Sequence, residues 1–432
     1  MSSIADALLA GDPSLFVGDT ARRSLGWLDH VDRYLGEWLD RLAAELPHHY
    51  ERVLLLGMGG SSSPARFYAE ERPGAAIAVL DTSNPDTVAA TDFSSAIVIA
   101  SSKSGSTVET QTLLAHALAH GARERDVVVI TDPGTSLDEW GRSVGAHVVH
   151  GDPATGGRYS ALSPFGLVPA LYCGWTPDEL RTVHRPLDRA RVEELLARAE
   201  SDRFATEDGT GTFGLHGDPA TSGGALWLEQ LVAESTGKEG RGYVPLVEGD
   251  GEPYRVAEML DDQVLTALLA RRLGVDPFDQ PNVESAKRAV FRLLAVGADD
   301  PQDGGDDPRR VLATPARLRT LQVYGPLEMA EAVAPLREAV ERAYGPTTAN
   351  LGPRYLHSTG QLHKGGPSCA AVQVIVRPRS TPQRIQGRHY SFHDLHRAQA
   401  RADLLAMREA GRPVAVVDVD DLDEARVLLG AE

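Results

Sequence analysis

The stretch Val53-Leu54-Leu55-Leu56-Gly57-Met58-Gly59-Gly60-Ser61-Ser62-Ser63-Pro64 is a short apolar run that stops on glycines and passes through hydroxyls to a proline. A run of that length reads as a strand, and the Gly/Ser/Pro turn as the entry to a helix. The pattern recurs. Runs of strand length with a β-branched bias lie at 76–81, 96–101, 126–132 and 146–151, and helix-period segments such as 64–71, 106–122 and 136–144 separate them. Continuous apolar strands are buried on both faces, which predicts a parallel sheet covered by helices. The β-α alternation predicts a doubly wound α/β unit. Upstream, residues 13–46 read as an amphipathic helix covering an outer face of that unit.

The second half repeats the theme less plainly. Residues 225–235, 261–274, 283–295, 326–345 and 392–411 have helical periodicity, while 243–247, 369–378 and 412–419 read as strands. Residues 297–310 are polar, acidic and rich in Gly and Pro, and read as an exposed loop. The expectation is two α/β domains, 1–180 and 181–432, each a three-layer α/β/α unit with flanking helices.

Composition narrows the function. A length of 432 residues is ample for two or three domains of ~100–200 residues. The 61 acidic against 43 basic residues, a net charge of −18, lack the basic footprint of a duplex-binding protein, so no nucleic-acid partner is expected. Cys173 and Cys369 are the two cysteines, which excludes a disulfide scaffold or a cysteine-rich zinc site and suits a reducing cytoplasm. No run reaches the ~18 apolar residues of a membrane span, and the first residues lack a secretory pattern. A cytoplasmic protein with no membrane partner is the expectation.

The turn Gly57–Pro64 offers an anion site where strand passes to helix, because free helix N–H groups and the macrodipole face the turn. Asp81 falls where a dinucleotide fold keeps its ribose acid, but Ser62 occupies the sixth position of a G-x-G-x-x-G and breaks that fingerprint. After the third strand, Ser101-Ser102-Lys103-Ser104-Gly105-Ser106-Thr107 places five hydroxyls, a lysine and a glycine at a strand-to-helix turn. That suits a phosphate monoester, and the order is not that of a Walker A loop. In Gly156-Gly157-Arg158-Tyr159-Ser160 the glycines admit a close ligand, and Arg158 offers a fork for a developing oxyanion or is a plain loop arginine. Glu234 ends an apolar helix as a candidate base or a solvated charge; Lys287 lies two turns inside a later helix. His357 and His363 lie in one glycine-punctuated stretch, where a histidine can exchange protons near neutral pH. His389, His393 and His396 have a spacing one can try on a metal, but no carboxylate or cysteine framework supports them, and no metal is expected.

Together, GMGGSSS (57–63), SKSGSTVET (102–110), GGRYSALSPFG (156–166), AESTGKEGRG (233–242), DPFDQPNVESAK (276–287) and LHSTGQLHKGG (356–366) resemble the glucose-6-phosphate isomerases, which are built from two sugar-isomerase (SIS) domains. The variant most similar is the isomerase half of fused transaldolase–isomerase proteins. The resemblance implies two SIS-type doubly wound parallel-sheet domains, a sugar phosphate substrate, no cofactor and a homodimer. It implies that Ser102, Ser104 and Thr107, with the Lys103 backbone, hold the 6-phosphate, and that Gly59 and Ser61 line the sugar. It implies Glu234 as the base shuttling a proton between C2 and C1, and Arg158 as the stabiliser of a cis-enediolate. His357 would open the ring, with His363 as the alternative; Lys287 would assist ring opening or bind a hydroxyl, and Gln280 would enclose the sugar. The order Glu234, Lys287, His357 departs from the common enzymes, where the histidine precedes the lysine, and Asn282 stands where they more often have glycine. A broader isomerase also using mannose 6-phosphate and a non-catalytic sugar-phosphate-binding regulator are the alternatives.

Overall fold

The computed structural model describes residues 3–48, 50–247, 254–256, 258–282, 284–296 and 306–431, the side chains of 284–288 and 296 excepted. Five strands, β1 (Arg52–Leu56), β2 (Ile77–Leu80), β3 (Ala96–Ser101), β4 (Val127–Thr131) and β5 (His147–His150), form one all-parallel sheet in the order β2-β1-β3-β4-β5. Each coincides with an apolar run of the sequence. Alternation explains why the runs are continuous. Val53, Leu55, Ile97, Ile99, Val128 and Ile130 enter one hydrophobic core, whereas Leu54, Leu56, Val98, Ala100, Val127 and Val129 enter another on the opposite face. At ~1.5–3 kcal/mol for each fully buried aliphatic side chain, covering both faces is what holds the helices on. In this strand order the connection reverses between β1 and β3, and ligands of such sheets bind outside the carboxyl ends of the strands at that switch point. The loops leaving β1 and β3 are the two hydroxyl-rich turns.

A second parallel sheet has the order β11-β10-β8-β9, from β8 (Leu318–Tyr324), β9 (Thr347–Leu351), β10 (Cys369–Val376) and β11 (Val414–Val419). A parallel pair, β6 (Thr210–Leu215) with β7 (Gly242–Val247), lies alongside and touches β9 through β7. One face of the four-stranded sheet is aliphatic: Leu321, Val323, Ala349, Leu351, Val372 and Val374 share a core. The other carries a row of amides, Gln373, Gln322 and Asn350, paired in register across β10, β8 and β9 and each no more than 1% exposed.

Helix Gly223–Thr236 is buried on all sides and packs on helix Ser63–Glu70. Its Trp227, Leu228, Leu231 and Val232 join a core that runs from Ala5 to Phe278. A helix apolar all round belongs in an interior, and this one carries Glu234 near its end.

Several expectations need correction. Residues 13–46 do not form one helix: three short 3-10 turns precede helices His30–Tyr34 and Glu37–Glu45, with Gly36 breaking the chain between them. Trp27, Val31, Leu39 and Leu42 still cover the first sheet. Within the supposed loop 297–310, residues 297–305 lie outside the described residues, and Pro308–Leu312 is a helix capped by Asp307 with proline at its start. Strands β6, β8 and β9 were not anticipated. Among the described residues no helix is long and apolar enough to cross a membrane.

Candidate active site

Beyond β3 the chain turns through Ser102–Thr107 into helix Val108–Ala119. Gly105 takes φ +64°, and a Cβ there would sit 2.6 Å from Thr135, so the turn requires glycine. The hydroxyls converge: Ser102 Oγ and Thr107 Oγ1 are 2.9 Å apart, and Ser106 Oγ donates to Ser104 Oγ at 3.0 Å. Thr107 is the N-cap residue but its side chain does not cap the helix, which suits an exogenous anion at that end. Lys103 differs from its neighbours. Its ammonium reaches Asp132 Oδ2 at 2.5 Å and the Asp152 carbonyl at 2.7 Å, bracing the loops after β4 and β5. Lys103 does not line the cavity between the serine loop and the second half.

Beyond β1, Gly59 has φ +55°, and a Cβ on it would meet the His357 carbonyl at 2.7 Å and Gln230 Nε2 at 2.8 Å. A Cβ on Gly60 would lie 2.1 Å from the Gly157 carbonyl. Ser61 is buried beside them, and Ser63 Oγ donates to Gln230 Oε1 at 2.9 Å. The glycines therefore let four segments meet: the β1 loop, the Gly156–Ser160 turn, helix Gly223–Thr236 and the Arg354–His357 turn.

Arg158 and Glu234, 76 residues apart in sequence, are joined in the interior. Arg158 Nε donates to Glu234 Oε2 at 2.9 Å, and both side chains are 5% exposed. The rest of the guanidinium is held by the carbonyls of Glu234 (3.0 Å), Pro277 (2.8 Å) and Asp279 (3.0 Å). Gln280 follows directly and is half-buried. Lys238, which sequence reasoning left unassigned, is buried beneath this loop: its ammonium pairs with Asp279 Oδ1 at 2.8 Å and donates to the Asp276 carbonyl. Burial, with Arg158 nearby, pushes its pKa down to about 8.

His357 Nε2 lies 3.0 Å from Glu109 Oε1, and Glu109 also accepts from Gln399 Nε2 at 2.6 Å. Glu109 stands in the first turn of helix Val108–Ala119 and is buried. A carboxylate behind a histidine fixes its tautomer and orientation. Glu109 belongs to the SKSGSTVET stretch but was given no role, and Gln399 had no local signal at all. His363 is fully buried against Thr320 Oγ1 at 3.2 Å, and burial pushes its pKa down to about 3, so it sits in the core as a neutral ring. His389, His393 and His396 go separately to the Leu294 carbonyl, the Ser380 carbonyl and Ser83. Asp81 is buried against Arg66 at 2.7 Å.

A cavity of about 110 Å³ opens between the serine loop and the second half, lined by Ser104, Ser106, Thr107, Glu109, His357 and Lys364 among others. Its wall therefore unites the candidate phosphate loop with the candidate histidine. Ser102, Lys103, Glu234, Arg158, Gly59, Ser61 and Gln280 do not line it; Gly59 comes close to its wall, since a Cβ there would lie 2.7 Å from the His357 carbonyl. The side chain of Lys287 lies outside the described residues, although its helix, Glu284–Val296, supplies Val290 and Phe291 to the cavity. Gln361 ties the stretches together, donating to the Gly237 carbonyl at 3.0 Å and to Asn282 Oδ1 at 2.8 Å.

No protein-family model matches the chain. Two of the similar curated proteins are named glucose-6-phosphate isomerase. One, from Campylobacter jejuni, is 26% identical over 214 residues, 45% of this chain and 52% of its own length. Another, from Thermus thermophilus, is 33% identical over 169 residues, 36% of this chain and 41% of its own length. The similarity is to isomerases, and it is distant. The chain thus spans about half the length of these relatives, or less. A crystal structure of a glucose-6-phosphate isomerase from Chlamydia trachomatis superposes over 68% of this chain and 79% of that one, at 16% identity and a TM-score of 0.41.

Proposed function

We propose that the protein is a glucose-6-phosphate isomerase that interconverts glucose 6-phosphate and fructose 6-phosphate through a cis-enediolate. The observation that carries this reading is the buried Arg158–Glu234 pair, one glycine loop away from the His357–Glu109 pair and the hydroxyl-rich turn. In this reading Ser102, Ser104 and Thr107, the Lys103 amide and the end of helix Val108–Ala119 hold the phosphate. His357, oriented by Glu109, moves a proton between the ring oxygen and the C1 hydroxyl to open the ring. Glu234 then takes the C2 proton, which is acidic because it lies α to the carbonyl, and returns it to C1. Arg158 stabilises the oxyanion that develops between these steps. The proton transfers need no redox partner, and the charge stabilisation is supplied by the guanidinium. Gly59, Ser61 and Gln280 enclose the sugar, and Lys287 assists ring opening or holds a hydroxyl.

The resemblance further supports a chain of two SIS domains, 1–180 and 181–432, acting as a cytoplasmic homodimer and related to the isomerase half of the transaldolase fusions. The test is a coupled assay of the purified protein with fructose 6-phosphate and with mannose 6-phosphate. Turnover of the first is expected, and Glu234→Gln is expected to lower kcat by at least ~10²-fold while leaving sugar-phosphate binding intact. Turnover of both makes the broader isomerase the correct reading. Binding without turnover of either makes the protein a sugar-phosphate sensor.

A further inference from the structure

Lys364 lies in helix Gly360–Gly365 and lines the same cavity as Ser104, Ser106 and Thr107. Its side chain is only 3% exposed, an unusual place for an ammonium. Asp403, fully buried on helix Phe392–Glu409, holds it with Oδ1 at 2.5 Å from Nζ, and the Gly360 carbonyl accepts from it at 3.2 Å. Asp403 is itself fixed from behind, where its Oδ2 accepts from Tyr355 at 2.7 Å. An ammonium has three donors, of which the Gly360 carbonyl takes one beside the ion pair with Asp403. The cavity is small, so a group seated on the serine loop lies close to the third.

Charge balance points the same way. Two carboxylates, Glu109 and Asp403, stand in the cavity wall, and an anion entering it meets both. Glu109 is engaged by His357 and Gln399, whereas the countercharge of Asp403 is Lys364. In a site of low dielectric, an anion would be excluded without that cation. We propose that Lys364 is a ligand-binding cation of this cavity, oriented by Asp403, whose remaining N–H takes an oxygen of the phosphate seated on the serine loop. This rests on the sugar-phosphate reading above and adds to it a phosphate contact from the second half of the chain. Lysine serves this purpose as a compact point charge.

The test is calorimetric titration of the full chain with inorganic phosphate, alongside the KM for fructose 6-phosphate. Lys364→Met with Asp403→Asn removes both members of the ion pair and leaves no lone buried charge. This double variant, at an unchanged melting temperature, is expected to bind phosphate at least about tenfold more weakly, the scale of one charge-assisted hydrogen bond. Lys364→Gln alone removes the charge but can keep a hydrogen bond to Asp403, and is expected to weaken phosphate binding at least as much. Wild-type phosphate affinity in the folded double variant, or in folded Lys364→Gln, overturns the assignment. If the double variant does not fold, Lys364→Gln decides alone. The outcomes separate the two claims. Isomerisation with unchanged phosphate affinity in the double variant sinks only the role of Lys364; phosphate binding that depends on Lys364 in a protein without turnover sinks only the isomerase.

Discussion

Glu229 offers a quantitative check on the buried polar layer behind the site. It is 1% exposed on helix Gly223–Thr236; Asn350 Nδ2 donates to its Oε1 at 3.1 Å, and Oε2 has no hydrogen-bond partner among the described residues. Burial pushes its pKa from 4.5 up to about 8, outweighing the Asn350 hydrogen bond, and Asp218 adds to the rise while Arg354 opposes it. The sign of the linkage follows. Between pH 4.5 and about 8 the unfolded chain has released this proton while the folded chain still holds it. Stability therefore falls as pH rises through that window and levels off above it. At ~1.4 kcal/mol per unit, the cost at the upper end is on the order of 5 kcal/mol. Glu229→Gln keeps the shape and the acceptor for Asn350 but never ionises. Urea unfolding at pH 5, 6.5 and 8 should give nearly equal stabilities at pH 5, with the variant ahead by several kcal/mol at pH 8. A difference that stays constant with pH, or a variant weaker at pH 8, would refute the assignment of a neutral buried carboxyl.

The remaining predictions concern the site. Ser104→Ala combined with Thr107→Ala should raise the KM for fructose 6-phosphate tenfold or more with little change in melting temperature, since two phosphate donors of order 1 kcal/mol each are lost; an unchanged KM moves the phosphate elsewhere. Lys238, with its pKa pushed down to about 8, is charged below that pH and neutral above it. Its loss of charge releases Asp279 and the loop whose carbonyls hold Arg158, so kcat/KM should decline above pH ~8. Lys238→Arg should shift that decline to higher pH, and superimposable profiles for the two proteins would remove Lys238 from the account.

The first sheet was legible in the sequence because both its faces are aliphatic, which turns each strand into an uninterrupted apolar run. The second sheet was only half legible for a reason visible in its register. Strands β8 and β9 place Thr320, Gln322, Thr348 and Asn350 on a buried face, so Leu318–Tyr324 and Thr347–Leu351 do not look like interior strands. Helix patterning of 13–46 misled because a heptad-like apolar spacing survives Gly36 although the backbone does not. In the site, residues at strand ends were legible through turn chemistry. Gln399 was not, because its bond to Glu109 spans 290 residues and exists only once the two halves pack. Lys103 was legible as a loop residue, but nothing local foretold that its ammonium would turn toward Asp132.

The amide row that hid those strands also explains how the helix bearing Glu234 is oriented. Helix Gly223–Thr236 is apolar nearly all round, and hydrophobic burial alone specifies poorly how such a helix is rotated about its axis. Glu229 and Glu234 lie five positions apart, ~140° around the helix, and so look in different directions. Glu229 keeps its hydrogen bond against Asn350 of β9, and Glu234 its bond against Arg158 of the first half. Gln230, between them, is held by Ser63 from the β1 loop. A rotation that exchanged these faces would leave two buried carboxyls and an amide without partners, each costing ~1–3 kcal/mol or more. Three polar contacts from three directions therefore select one rotation among many of similar apolar burial, and that rotation brings Glu234 to Arg158.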